Sequence, residues 1–142
     1  MGTIHATTVA WHGCGVLIRG DPGSGKSDLG LRLIDEGAVL VADDYTDVQA
    51  ADGALFASAP DTIRGKMEVR GVGVADFSHA EVSRLALVVT LVPRDEVERV
   101  PEQAFAEIEG VRLPEVALCG HDASAPAKVR LAMRLLAEGG RR

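Results

Sequence analysis

The sequence predicts an α/β protein in which a mixed β-sheet with flanking helices carries a glycine-rich loop between a strand and a helix. Three observations point there. Short apolar runs of strand length flank a helical pattern of leucines; the motif G-x-x-x-x-G-K-[ST] falls between one such run and that helix; and an Asp-Gly turn joins two further runs as an antiparallel ribbon, which makes the sheet mixed.

In order along the chain, residues 4–11 carry Thr7, Thr8 and Val9 in a β-like pattern, and His12, Gly13, Cys14 and Gly15 form a turn before the apolar run Val16, Leu17, Ile18. This reads as a hairpin leading into the glycine-rich loop. From Lys26 onward, Leu29, Leu31, Leu33 and Ile34 with charges between them set an amphipathic helix, and Gly37 stops it. Residues 38–42 form a short continuous apolar strand of the kind buried on both faces of a sheet. Residues 45–50, the Asp52-Gly53 turn and residues 54–57 make the ribbon. Residues 58–67 read as a polar, irregular connection, residues 68–74 as a strand with two glycines, and residues 85–92 as a buried strand closed by Pro93. The charge-dense residues 94–109 are expected to run over the surface, with residues 111–118 as an edge segment. Asp122 or Ser124 caps a last helix over residues 125–137, with Pro126 in its first turn and Gly139-Gly140 at its end.

No internal repeat and no linker divides the chain, so residues 1–142 are read as one domain, long enough to bury roughly 68–70% of its unfolded surface. Only 4% of the residues are aromatic, so aliphatic side chains must fill the core. A formal charge of -6 with scattered Lys and Arg argues against nucleic acid as a partner, because phosphate contacts need clustered cations. No apolar stretch approaches the ~20 residues that span a bilayer, and Met1 to His5 have neither the basic nor the apolar segment of a secretory signal. The expectation is a cytoplasmic protein without a membrane partner. In that setting Cys14 and Cys119 are read as free thiols, and outside any C-x-x-C they suggest no metal site. His12, His79 and His121 gain no support from spacing and are read as surface residues.

Gly20, Asp21, Pro22, Gly23, Ser24, Gly25, Lys26 and Ser27 match the phosphate-loop motif in full, in the strand-to-helix setting that its mechanism requires. Glycines let successive backbone N–H groups converge on phosphate oxygens at a helix N-terminus. Lys26 can reach the β- and γ-phosphates of ATP, and the Ser27 hydroxyl can ligate Mg²⁺. A second acidic group at the end of a neighbouring strand is then required, and Asp43 and Asp44 follow the apolar run ending at Ala42. One of these carboxylates can hold the metal's water shell while the other takes a proton from an attacking hydroxyl.

The run GVLIRGDPGSGKSDLGLRLIDEGAVLVADD over residues 15–44 resembles the catalytic domain of the HPr kinase/phosphorylase family. LFASAP over residues 55–60, followed by KMEVRGVGV over residues 66–74, resembles the family stretch that ends in Glu-Ile-Arg-Gly-Leu-Gly, and a looser similarity continues through residues 108–118. The resemblance implies a serine kinase that phosphorylates the phosphocarrier HPr with ATP or pyrophosphate, a reverse phosphorolysis, hexameric or other homo-oligomeric assembly, and a fold akin to the nucleotide-binding core of phosphoenolpyruvate carboxykinase. By position it makes His5 the active-site histidine, Asp43 the acid/base carboxylate, Asp44 its acidic neighbour, Glu68 an acidic residue near the metal beside Ser27 and Asp44, and Arg70 the arginine of the second motif. Glu68 and Arg70 are expected on one strand face, two residues apart.

Two departures shape the expectation. The similarity starts almost at His5, so the chain resembles the short proteobacterial forms and is expected to lack the separate N-terminal domain of longer members. Residues 119–126 stand where the family has an arginine-rich segment tied to phosphorolysis and subunit contacts, so the resemblance carries the kinase direction further than the reverse. Beside a protein serine kinase stand two other functions: a small-molecule kinase, for which no lid insertion is evident, and a nucleotide-sensing module without transfer, which the retained Asp43, Asp44 and Glu68 oppose.

Overall fold

The computed structural model describes residues 1–139, and among these the chain forms eleven strands and two α-helices. In chain order they are β1 (Gly2–Ile4), β2 (Ala6–Trp11), β3 (Cys14–Gly20), α1 (Lys26–Asp35), β4 (Val39–Ala42), β5 (Thr46–Ala51), β6 (Ala54–Ser58), β7 (Lys66–Val69), β8 (Gly73–Asp76), β9 (Ser83–Leu91), β10 (Ala104–Ile108), β11 (Val111–Leu118) and α2 (Ala125–Ala137). The expected mixed sheet is present, curled, and runs β1-β5-β6-β9-β3-β2-β4, with β11 and β10 added beside β9.

Strand β9 is the centre of the sheet. It pairs in parallel with β3 along one side. Along the other side it pairs antiparallel with β6 at Ser83 and Arg84, then in parallel with β11 from Val88 to Leu91. Two strands thus share one edge of β9. Its apolar run explains the position: Leu85, Leu87, Val88, Val89 and Leu91 are all buried, which suits a strand covered on both faces. Alternation along β3 sorts the two cores. Val16 and Ile18 pack with Leu29 and Leu33 of α1 and Val129 of α2, whereas Leu17 packs on the other face with Val41, Val48, Leu55 and Val88.

Strands β3, β9 and β11 run in parallel, and β4 shares their direction because both β3 and β4 are antiparallel to β2. Their carboxyl ends therefore gather at one end of the sheet, where open α/β sheets place ligands. The chain breaks between β1 and β2 at His5, so that Ile4 pairs with Thr46 while Thr8 pairs with Ala42. These two registers hold His5 opposite the segment from Asp43 to Tyr45.

Several sequence expectations need correction. Residues 68–74 are not one strand. Val72 N–H donates to Val69 O at 2.9 Å, and Gly71 (φ 90°) and Gly73 (φ 125°) turn the chain back, giving the β7–β8 hairpin. Arg70 lies in that turn, so it does not share a strand face with Glu68. Within residues 94–109 the structure forms β10, and residues 111–118 are an inner strand between β10 and β9, not an edge. Residues 39–42 are buried from Leu40 to Ala42 as expected, but β4 ends the sheet, its outer side bridged by His79 and by Ala80 N–H donating to Leu40 O at 2.9 Å. Pro126 stands in the first turn of α2 and Gly139 follows the helix with φ 107°, while Gly140 lies outside the described residues.

Helix α1 crosses β2 so closely that a Cβ on Gly30 would lie 2.7 Å from Thr7 Cγ2. Helix propensity alone would make Gly30→Ala stabilising by ~1 kcal/mol. Overpacking against a β-branched strand residue costs ~1–3 kcal/mol and wins. Gly30→Ala is expected to lower stability in urea titration, and a higher midpoint would refute this packing argument.

Candidate active site

The glycine-rich loop joins β3 to α1. Its turn closes with Ser24 N–H donating to Asp21 O at 3.0 Å, and Gly25, at φ 98°, occupies the N-cap position where a residue with a Cβ would be strained. Asp21 and Pro22 are exposed at the loop tip. The Ser24 hydroxyl is buried without a hydrogen-bond partner among the described residues.

Lys26, the first residue of α1, is only 8% exposed, and its ammonium donates to Gly20 O at 2.9 Å and Asp21 O at 3.2 Å. An ammonium carries three donors, so these carbonyls leave one unused. Among the described residues no carboxylate pairs with Lys26. A nearly buried cation without an anionic partner is costly unless an anion comes to it. The loop thus combines a helix N-terminus, a spare positive charge and freely turning backbone, which is the chemistry of an anion site.

Next to Lys26, Ser27 Oγ donates to Asp43 Oδ1 at 2.6 Å, and Thr7 Oγ1 donates to the same oxygen at 2.9 Å. Asp43 is 7% exposed at the end of β4, and Oδ2 has no hydrogen-bond partner among the described residues. Asp44 adopts φ 70°, which swings its side chain away from Asp43 and outward to His5, whose Nε2 meets Oδ1 at 2.8 Å. The His5 ring stacks on Tyr45 with centroids 5.0 Å apart.

The structure therefore brings together His5, Lys26, Ser27, Asp43 and Asp44. Glu68 is exposed on β7 and makes no hydrogen bond or ion pair among the described residues. Ser27 pairs with Asp43, not with Asp44. Among the described residues no group of three His, Cys, Asp or Glu side chains stands ready to hold a metal ion alone. That is compatible with Mg²⁺, which keeps several waters and takes one or two protein carboxylates together with substrate phosphates.

Sequence reasoning missed Thr7, which looks like one more strand threonine until β2 places it against Asp43. It also missed the segment after β11. Arg32 of α1, which pairs with Asp28 at 3.0 Å one helical turn earlier, donates to Gly120 O and, at 3.1 Å, to Asp122 O. His121, read as a bare surface residue, contacts Gly23 O. Both cysteines are free, as expected, Cys14 exposed and Cys119 buried.

Arg94 Nε donates to Asp122 Oδ1 at 2.7 Å, and this hydrogen bond is the main reason that the Asp122 carboxyl is held below its ordinary value of 3.8. A carboxyl with a lowered folded-state pKa contributes stability that is present above the unfolded value and lost as pH falls through the folded value. The difference in unfolding midpoint between the parent and Asp122→Asn is thus expected to stay constant through neutral pH and to shrink only below 3.8. A difference that already shrinks near neutrality would contradict the pairing.

A mixed α/β fold with a curled sheet and a glycine-rich strand-to-helix loop beside paired carboxylates defines the class. The chain belongs to the HPr Serine kinase C-terminal domain family, whose model matches residues 1–129. It is 39% identical over 119 residues to the HPr kinase/phosphorylase of Leptothrix cholodnii, covering 75% of this chain and 37% of that protein. It is 33% identical over 128 residues to the protein of the same name from Limosilactobacillus reuteri, covering 82% of this chain and 40% of the relative. The chain thus spans about two fifths of the length of these curated relatives. Among solved structures, that of the Hpr(Ser) kinase/phosphatase from Coxiella burnetii superposes with a TM-score of 0.85 at 28% identity, over 98% of this chain and 100% of that one. No helix among the described residues is long and apolar enough to cross a membrane.

Proposed function

We propose that the chain is an ATP-dependent protein serine kinase domain acting on an HPr-like phosphocarrier, with residues 1–142 working as one catalytic unit in the cytoplasm. The observation that carries the reading is the nearly buried Lys26 ammonium, held by two loop carbonyls and, among the described residues, without an anionic partner beside the Ser27–Asp43 pair. The names of the relatives supply the substrate. The same loop and strand end support a fold likeness to the nucleotide-binding core of phosphoenolpyruvate carboxykinase.

In this reading the loop amides and Lys26 bind the phosphates of ATP. A substrate serine attacks the γ-phosphorus; its Oγ–P bond forms, the bond from phosphorus to the bridging oxygen breaks, and ADP leaves. Asp43 takes the hydroxyl proton on Oδ2, since Ser27 and Thr7 engage Oδ1 and fix the carboxylate's orientation. Ser27 Oγ and Asp44 would hold Mg²⁺, which when bound neutralises charge on the phosphates. His5, stacked on Tyr45, orients Asp44. Glu68 is left out of this set for want of any contact with it. Alignment and electrostatic stabilisation supply most of the rate in such transfers.

The Ser27–Asp43 hydrogen bond favours a second assignment, in which Asp43 faces the metal and Asp44 with His5 handles the proton. Assembly into a homo-oligomer rests on the family alone. Incubation of the chain with labelled ATP, Mg²⁺ and purified HPr tests the function. Label on a serine of HPr is the expected result; hydrolysis or binding without labelled protein would point to the sensing module, and label on a small molecule to another kinase class.

A further inference from the structure

The segment between β11 and α2 closes against the glycine-rich loop. Gly120 lies so near that a Cβ there would come within 2.5 Å of Ser24 O and 2.8 Å of Leu91 Cδ1. Arg32 donates to Gly120 O and Asp122 O, and Arg94 holds the Asp122 carboxylate. Three elements, α1, the segment after β9, and the glycine-rich loop itself, thereby fix residues 120–122 in place. Held between these ties, the His121 ring reaches across: Nε2 lies 3.0 Å from Gly23 O, and Cε1 lies 3.3 Å from the position of a Cβ on Gly25.

The chemistry of that contact is determined. A carbonyl oxygen has only lone pairs, so Nε2 must carry the proton and donate. His121 therefore presents Nε2–H to the loop, in the neutral ring with Nδ1 unprotonated or in the imidazolium. The bonded carbonyl belongs to Gly23, whose φ of 82° is one of the two left-handed backbone turns in the loop, with Gly25 at 98° the other. Such turns aim successive N–H groups toward one point. Tying down the Gly23 carbonyl fixes the Gly23–Ser24 peptide plane, whose Ser24 N–H closes the loop's turn on Asp21 O at 3.0 Å, and with it the path of the loop into Gly25.

We propose that His121 is a positioning residue for nucleotide binding: its Nε2–H holds the Gly23 carbonyl and so sets the glycine-rich loop in a phosphate-accepting conformation before the nucleotide arrives. The inference rests on the reading of the loop as the ATP site and adds to it a residue 98 positions away in sequence. Preorganisation of this kind raises affinity by removing the ordering that binding would otherwise require.

The test measures Mg-ATP affinity and unfolding midpoint for the parent, His121→Ala, His121→Gln and Lys26→Met, and reads the ring tautomer from ¹⁵N shifts of the parent's histidines. One neutral hydrogen bond contributes ~0.5–1.5 kcal/mol, so His121→Ala is expected to weaken Mg-ATP binding by about 2–12-fold. Its unfolding midpoint should stay near the parent's, because His121 is exposed. His121→Gln places an N–H at similar reach and is expected to recover most of the affinity. Parental affinity in both His121 variants, with Lys26→Met weakened, would overturn the positioning role and leave the nucleotide site standing. Parental affinity in all three would remove the nucleotide site and this proposal with it. Equal losses in His121→Ala and His121→Gln with lowered midpoints would make the side chain a packing element, and a His121 ring protonated only on Nδ1 would also overturn the proposal.

Discussion

Asp43→Asn is expected to lower phosphotransfer to HPr by ~10²–10⁴-fold, the range typical of losing a general acid or base, while Mg-ATP binding stays near the parent value. The geometry makes this substitution clean. An asparagine Oδ1 can still accept from Ser27 and Thr7, whose hydroxyls meet Asp43 at 2.6 and 2.9 Å, so the strand end and helix start should keep their places. What is removed is the proton acceptor at the second oxygen. Asp44→Asn should behave differently. If Asp44 serves the metal, its loss raises the Mg²⁺ concentration needed for activity, and excess Mg²⁺ restores part of the rate. Titrating Mg²⁺ against both variants with one HPr preparation compares them directly. Metal rescue of Asp43→Asn but not of Asp44→Asn would establish the alternative division of labour that the Ser27–Asp43 contact favours. Full activity in both would remove the carboxylate pair from the mechanism.

Lys26→Met is expected to weaken Mg-ATP binding by about 10–100-fold and to abolish transfer, since a charge-assisted contact contributes ~1.5–3 kcal/mol. The same substitution should leave stability unchanged or raise it. Methionine keeps the apolar stem of a side chain that is 8% exposed and removes a charge that, among the described residues, is met by two carbonyls and no carboxylate. Binding and stability then move in opposite directions, the mark of a group retained for function and not for folding. Calorimetric titration with Mg-ATP and thermal unfolding of the same samples check the pair, and a variant that loses both together would mean that Lys26 is a structural residue.

Local rules made the first half of the fold legible. The hairpin β2–β3 was legible from the turn expected over residues 12–15, which the structure narrows to His12 and Gly13 with Cys14 and Gly15 already in β3, and the β5–β6 ribbon from Asp52-Gly53, whose positive φ angles suit those residues. Helix α1 has an apolar stripe and a glycine stop. The loop residues and Asp43 could be named because strand, motif and helix are contiguous, with the acids a short distance on. The second half was less legible because its elements depend on distant partners. Strand β10, AFAEI, follows the charge-dense residues 94–102 and becomes a strand through pairing with β11. Residues 68–74 look continuous because Val69, Val72 and Val74 recur through them, yet the glycines reverse the chain. Thr7, Arg32 and His121 carry no signal at all, since each acquires a role only when the sheet and the α2 connection bring it to the loop.

The shared edge of β9 bears on how this protein is made. Strand β3, which carries the glycine-rich loop, and β6 are both synthesised before β9, and each pairs with it. Until β9 leaves the ribosome, β3 has only β2 beside it, and its other side presents unpaired backbone of an apolar strand. Assembly of the sheet is then a late, long-range event, and proteins dominated by such pairings refold in milliseconds to seconds instead of microseconds. Substitutions in β9 should accordingly act most strongly on nascent chains, where a delayed β9 leaves two sticky edges exposed for longer.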